Sequence, residues 1–476
     1  MMPSVAACVP RLACRALPPE TLLLPSVHLF DPGSELDTVA DLLVAKGRIV
    51  DVGTSVKAPA GAEVLEDLRG CWVFPGFVDM HAHLRTPGQE YKEDVASAAR
   101  AAAAGGFVTV VGMANTRPVV DVGPLASWVL GEAAARADVC VGQVGAVSRG
   151  LAGETLAELR ELAEAGVVAF SDDGRPLTNA NLLLYALRYL RGTGRPVLLH
   201  LEDAALAAGG SMHEGKWSAR LGLHGIPSSS ESGPLARDLE VIRYAAAEAA
   251  AVAGVSGARA AAGGGPAAAG AESAPTPLVH FQHLSAAESV RLLRSAKAEG
   301  LPVSAEVTPH HLLLTDEAVR SFDSSLKINP PLRSAGDREV LVAALAEGTI
   351  DCIATDHAPH APHEKEVPFE EAPSGTVGLE TAFAAVYGGL VVTGAVPLRR
   401  VVDAMSAAPC RVLGLQPPRL AVGEPARFCA VDVEERWRVG KEDLRGKCRN
   451  SAFLGAEVQG RVRLTVVDGA RRYHRV

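Results

Sequence analysis

Paired cysteines, long apolar runs and clusters of basic residues are all missing from this chain. Its eight cysteines are scattered, and no two form a C-x-x-C pair. That excludes a disulfide framework and points to reduced thiols. No uninterrupted apolar stretch has the length of a membrane helix, so no membrane span is expected. No run of Lys and Arg has the length of a binding patch, and the net charge is −9. Both features argue against a nucleic-acid partner. The first 20 residues hold two arginines and one acid, Glu20, but little serine. They are expected to form a short, loosely ordered extension and not a transit peptide, with the cytoplasm as the default location.

What is present is a globular composition, 48% hydrophobic and 21% charged over 476 residues. Residues 21–72 read as short strands and turns, punctuated by Asp31-Pro32-Gly33 and Lys46-Gly47. Residues 416–476 have the same texture, so the two ends are expected to join in one small β-sandwich. Between them, residues 73–415 alternate apolar runs with Ala-rich helical stretches. Eight runs have strand character: Val73–Val78, Phe107–Met113, Val139–Val147, Val167–Ser171, Pro196–Leu201, Leu278–Leu284, Pro302–Val307 and Asp351–Thr355. Eight alternations predict an α/β fold of the (β/α)8 TIM-like barrel type; a doubly wound open sheet, the other reading, normally has fewer strands. A stretch at about 255–275 is nearly all Ala, Gly, Ser and Pro and reads as a low-complexity linker without chemistry.

The chemistry gathers at the strand ends. Asp79-Met80-His81-Ala82-His83-Leu84-Arg85 follows the first apolar run. Side chains two apart on a strand point the same way, so His81 and His83 can converge on one ion. Strand four ends in Asp172-Asp173-Gly174, strand five in His200, strand six in Gln282-His283, and strand eight in Asp356-His357. A barrel brings all these ends to one mouth. The count suits two metal ions of the kind bound by nitrogen and oxygen: His81, His83 and Asp356 for one, His200 and His283 for the other, with Asp172 or Asp173 as the bridge. Paired metals can activate water and polarise a carbonyl, and Asp356 would lie beside that water as an acid/base group.

These residues resemble the amidohydrolase superfamily and, within it, class I dihydroorotases. The matching phrases are P-G-F-V-D-M-H-A-H-L-R (75–85), A-N-T-R-P (114–118), F-S-D-D-G (170–174), H-L-E-D (200–203), G-G-S-M-H-E-G-K (209–216), Q-H-L-S (282–285), T-P-H-H-L-L-L-T (308–315), N-P-P-L-R (329–333) and A-T-D-H-A-P-H (354–360). The resemblance implies two Zn2+ ions on His81, His83, Asp173, His200, His283 and Asp356, with Asp173 as the bridge and Asp356 as the catalytic acid/base. Strand four offers no lysine for the carbamylated bridge of hydantoinases. The resemblance also implies substrate contacts from His83, Arg85, Asn115, Asn329, His360 and the pair Ser374–Gly375. The family commonly has Phe-Gly at that pair, and Pro where this chain has Ala114.

The implied activity is reversible, zinc-dependent cyclisation of N-carbamoyl-L-aspartate to (S)-dihydroorotate in de novo pyrimidine (UMP) synthesis. Arg85 offers a planar fork of donors to a carboxylate, which argues against hydantoin or allantoin as substrate. A second rival is a non-catalytic subunit that scaffolds aspartate transcarbamoylase; inactive relatives of that kind typically lose ligands, and this chain keeps all six. A transcarbamoylase partner and a homo-oligomer are both compatible with the resemblance. Charged residues 361–375, with Pro and Gly, are placed to form a loop over the mouth.

Overall fold

The computed structural model describes residues 9–261 and 278–476. Two β systems organise it. Eight parallel strands stand side by side in chain order: Phe77–Ala82, Phe107–Gly112, Cys140–Gly145, Ala169–Ser171, Val197–Leu199, Val279–Phe281, Val303–Val307 and Cys352–Ile353. Helices pack between and outside them, as the alternation predicts. The circle is closed by backbone pairing of Ala82 with His357, where His83 N–H donates to the His357 carbonyl at 2.9 Å. Buried Asp79 adds a second tie, accepting from the Thr355 N–H at 3.1 Å and from its hydroxyl. Burial pushes the Asp79 carboxyl up to about 6 despite those bonds. Met80, Val111, Met113, Val144, Val168 and Leu198 fill the inside.

The second system comes from both chain ends. Its strands run in the order Ala470–His474, Glu457–Val467, Phe428–Arg438, Trp72–Pro75, Leu22–Asp31, Leu36–Ala45 and Arg48–Gly53. They form one hydrogen-bonded sheet that curls around a shared core, in which Leu24 and Leu42 meet Phe428 and Leu464. Trp72–Pro75 is the seam: it pairs parallel with Leu22–Asp31 and antiparallel with Phe428–Arg438.

The apolar run Val73–Val78, read as one strand, is therefore two. Its first half belongs to the seam and its second half opens the barrel, with the break at Gly76. A Cβ there would sit 2.3 Å from Val108 Cγ1, so only glycine allows this approach. Because both halves are buried and apolar, periodicity cannot reveal the break.

Residues 9–20 differ from the loosely ordered extension expected for 1–20; residues 1–8 lie outside the described residues. Ala13 bridges Val141 of the third barrel strand, and the Arg11 and Arg15 N–H groups donate to the carbonyls of Gly166 and Ala137. Backbone groups satisfied by a strand edge order a segment that composition alone leaves loose. Of the linker expected at about 255–275, residues 255–261 instead continue the helix Ser229–Ala261, since a run rich in Ala favours helix; residues 262–277 lie outside the described residues. No described helix is long and apolar enough to cross a membrane.

Candidate metal centre

At the C-terminal end of the barrel the strands deliver a buried cluster of imidazoles and carboxylates. His81 is the penultimate residue of the first strand and His83 follows the strand's end, and their Nε2 atoms converge on the same two carboxylates. His81 Nε2 lies 3.5 Å from Asp173 Oδ1 and 3.4 Å from Asp356 Oδ1. His83 Nε2 lies 3.5 Å from Asp173 Oδ2 and 3.0 Å from Asp356 Oδ1. On the other side of Asp173, His200 Nδ1 and His283 Nε2 approach its Oδ1 at 3.6 and 3.7 Å. Asp173 thus stands between two pairs of histidines. His81, His83 and Asp356 can hold one ion, and so can His81, Asp173 and His283.

The spacing of Asp172 and Asp173 leaves open which one bridges, and the structure separates them. Asp172 turns away, accepting from the N–H groups of Val147 and Ser148 at 2.8 and 3.0 Å. Glu202 and Asp203 divide in the same manner. Glu202 Oε2 lies 3.2 Å from His200 Nε2 and also accepts from Asn329 Nδ2 at 3.1 Å. Asp203 caps the short helix that follows.

Glu306, in the seventh strand, escapes the sequence reading. Its carboxylate is wholly buried, 2.6 Å from His81 Nδ1 through Oε1 and 3.1 Å from His280 Nε2 through Oε2. A carboxylate behind a ligating histidine fixes the ring and its tautomer. The signal was available: one Glu within Val303-Ser304-Ala305-Glu306-Val307, a strand buried along its length.

The electrostatics of the cluster favour a cation. Asp173, Glu306 and Asp356 are buried, and among the described residues none has Lys or Arg within salt-bridge distance. Burial alone would raise their carboxyls. The surrounding imidazoles reverse this, holding Glu306 near 2 and Asp173 and Asp356 well below the usual range. Burial likewise opposes charge on the histidines, yet the carboxylates pull His81 far up and His200 to about 9. Buried carboxylates without a basic partner, faced by convergent imidazole nitrogens, fit a divalent metal of the N/O type.

A second arc of residues borders the cluster. His83 Nδ1 lies 3.0 Å from Asn115 Oδ1. Arg85 Nε donates to the Pro359 carbonyl at 3.3 Å. Burial lowers the Arg85 guanidinium, and no carboxylate among the described residues lies within salt-bridge distance of it. His360 Nε2 donates to the Ser374 carbonyl at 2.9 Å, and Gly375 N–H to that of Lys327 at 2.8 Å. Burial, with Arg85 and two lysines nearby, holds His360 down at about 3. Asn450, which the sequence reading also missed, ties this arc together. Its Oδ1 accepts from His360 N–H at 3.1 Å, and its Nδ2 donates to the carbonyls of Ala358 and Gly375 at 3.2 and 3.1 Å. Nothing local in the sequence marks Asn450, because it comes from the C-terminal segment.

Three residues of the site hold a left-handed backbone: Arg85 (φ 59°), His283 (φ 33°) and Asp356 (φ 46°). Each such residue costs about 1–3 kcal/mol, which surrounding structure must offset.

Comparison with known proteins places the chain in a family. The family model described as dihydro-orotase-like matches residues 70–271. A dihydroorotase of Citrifermentans bemidjiense is 42% identical over 448 residues, covering 94% of this chain and 98% of that protein. One from Anaeromyxobacter dehalogenans is 43% identical over 452 residues, covering 94% and 97%. Among solved structures, the L-hydantoinase of Arthrobacter aurescens superposes with a TM-score of 0.78 at 23% identity, covering 94% of this chain and 95% of that one. At that identity the likeness speaks for the fold alone. With the sequence relatives it places the chain: it belongs to the dihydroorotase family.

Proposed function

We propose that the chain is a zinc-dependent dihydroorotase of the aspartate-bridged kind, interconverting N-carbamoyl-L-aspartate and (S)-dihydroorotate in pyrimidine synthesis. The observation that carries the reading is Arg85. It places a guanidinium beside a buried His/Asp cluster, with no carboxylate among the described residues within salt-bridge distance, and a substrate carboxylate is the group that such a fork binds.

His81, His83 and Asp356 would hold one metal, His200 and His283 the other, with Asp173 shared between them. Bound there, two divalent ions supply an activated water and polarise the ring carbonyl. The side chains do the rest. Arg85, Asn115 and His360 orient the substrate carboxylate, and Asn329 meets the ring amides. Ser374 and Gly375 border the ring from the loop over the mouth. Asp356, held ionised by His81 and His83, takes the proton of the attacking water and returns it to the leaving ring nitrogen. Ring closure runs the other way and starts with Asp356 protonated. Hydrolysis converts a ring amide into a carboxylate and releases a proton, so higher pH favours opening and mild acidity favours closure.

Two rivals are weaker. A hydantoinase with a carbamylated lysine bridge needs a lysine where Asp172-Asp173 follows the fourth strand. A non-catalytic scaffold for aspartate transcarbamoylase has no use for six convergent ligands. Assays of the purified protein on dihydroorotate, hydantoin and allantoin test the reading. Turnover of dihydroorotate well above the other two supports it; preference for an uncharged ring overturns it.

A further inference from the structure

The N-terminal end of the barrel holds a thiol pair that the reaction does not use. Residues 9–20 cross that end as a strap, and Ala13 and Val141 exchange both backbone hydrogen bonds, at 2.9 and 2.8 Å. In an antiparallel register the next pair is Cys14 opposite Cys140, at a site without mutual hydrogen bonds. Such pairs bring their Cα atoms to about 4.5 Å and their side chains closest together. That separation lies within the range a disulfide spans. The two sulfurs lie 3.7 Å apart, with Cys140 donating to Cys14.

Cys14 differs from the other described cysteines. It is partly exposed, whereas Cys71, Cys140, Cys352, Cys410, Cys429 and Cys448 are buried. Burial pushes the Cys71 thiol up to about 11 and those of Cys410 and Cys448 up to about 12. The hydrogen bond from Cys140 draws Cys14 down to about 7, against burial and Asp468, with Arg472 and Arg427 assisting. A thiol near neutrality with its partner directly opposite is an attacking and resolving pair. A metal is the weaker use of the same cluster. The third candidate ligand, Asp468, is already held by Arg427 at 2.6 and 3.2 Å, and two sulfurs fall short of the four ligands of a structural zinc site.

We propose that Cys14 and Cys140 are a modification site, a reversible cross-strand disulfide that staples the N-terminal strap to the third barrel strand. The oxidant is a low-molecular-weight disulfide, RSSR. The Cys14 thiolate attacks one of its sulfurs and expels RS−, leaving a mixed disulfide on Cys14. The Cys140 thiolate then attacks Cys14 Sγ and expels the second RS−. The two protons of the protein thiols pass to the released thiolates. Two protein thiols are oxidised and one small disulfide is reduced to two thiols.

The test treats the full chain with glutathione disulfide, blocks remaining thiols with iodoacetamide, denatures and digests with trypsin. A linked product of Leu12–Arg15 with Ala137–Arg149, two hydrogens lighter than the sum of its parts and lost on reduction, is expected. Cys14→Ser removes it and leaves Cys140 unmodified. Cys140→Ser traps the glutathione adduct on Cys14. Partly exposed Cys14 is the safer position to vary, so the first variant serves even where the second fails to fold. Recovery of both peptides alkylated from oxidised, folded protein overturns the proposal. So does a different cysteine pairing, or zinc bound to these thiols as purified.

Discussion

The C-terminal end of the barrel is lined by imidazoles and carboxylates on strained backbone, whereas the N-terminal end is packed mainly with hydrocarbon side chains. At the first, Asp173, Glu306 and Asp356 are buried with no Lys or Arg among the described residues within salt-bridge distance, and Arg85, His283 and Asp356 hold positive φ. At the second, Phe77 packs against Phe107 and Phe383 with ring centroids 5.9 and 5.1 Å apart, and Gly76 lets two strands touch at Val108. One set of eight strands serves both. The lower end supplies stability that the upper end consumes in holding charges and strain that a stability-driven design would discard. Substitutions at the top should therefore change chemistry with little effect on melting, and those at the bottom should do the reverse.

The largest effect is expected at Asp356. Asp356→Asn removes the proton carrier and should lower kcat for dihydroorotate by about 10³-fold or more; a steady-state assay beside a thermal melt checks that folding survives. Next is Glu306→Gln, which leaves the six candidate ligands in place but removes the carboxylate behind His81. Its affinity for metal should fall about 10–100-fold, read by competition with a chelator. Unchanged affinity would mean that Glu306 is only a partner for His280.

Arg85→Lys separates charge from geometry. The planar fork is lost and the charge kept, so KM should rise about tenfold while kcat changes less. An equal loss in kcat alone would move Arg85 from holding substrate to the chemistry. The smallest catalytic effect belongs to the bottom. Gly76→Ala places a methyl against Val108 and should cost about 1–3 kcal/mol of stability, seen as a lower Tm with KM unchanged.

How far the sequence reveals this contrast depends on the range of the interaction. His81 and His83 are legible because a strand repeats every two residues, and the eight alternations foretell the barrel. Asp172 and Asp173 are not separable by spacing, since the turn that sends one to the Val147 and Ser148 N–H groups has no local signature. Glu306 is a weak signal, one acid in a buried strand, and its meaning depends on His81, 225 positions away. Asn450 is invisible because pairing across domains leaves no periodicity. The break at Gly76 is hidden for a different reason: two buried strands in succession look like one. Residues 9–20 are ordered by a neighbouring strand edge, which composition does not record.

Dihydroorotate turnover is expected to depend on the buried cluster acting as a metal centre. Metal content per subunit, measured with dihydroorotate hydrolysis before and after chelation, tests it most directly. Two divalent ions per chain, loss of activity as they are removed, and recovery of both on adding Zn2+ are expected. Full activity in protein freed of metal would contradict it.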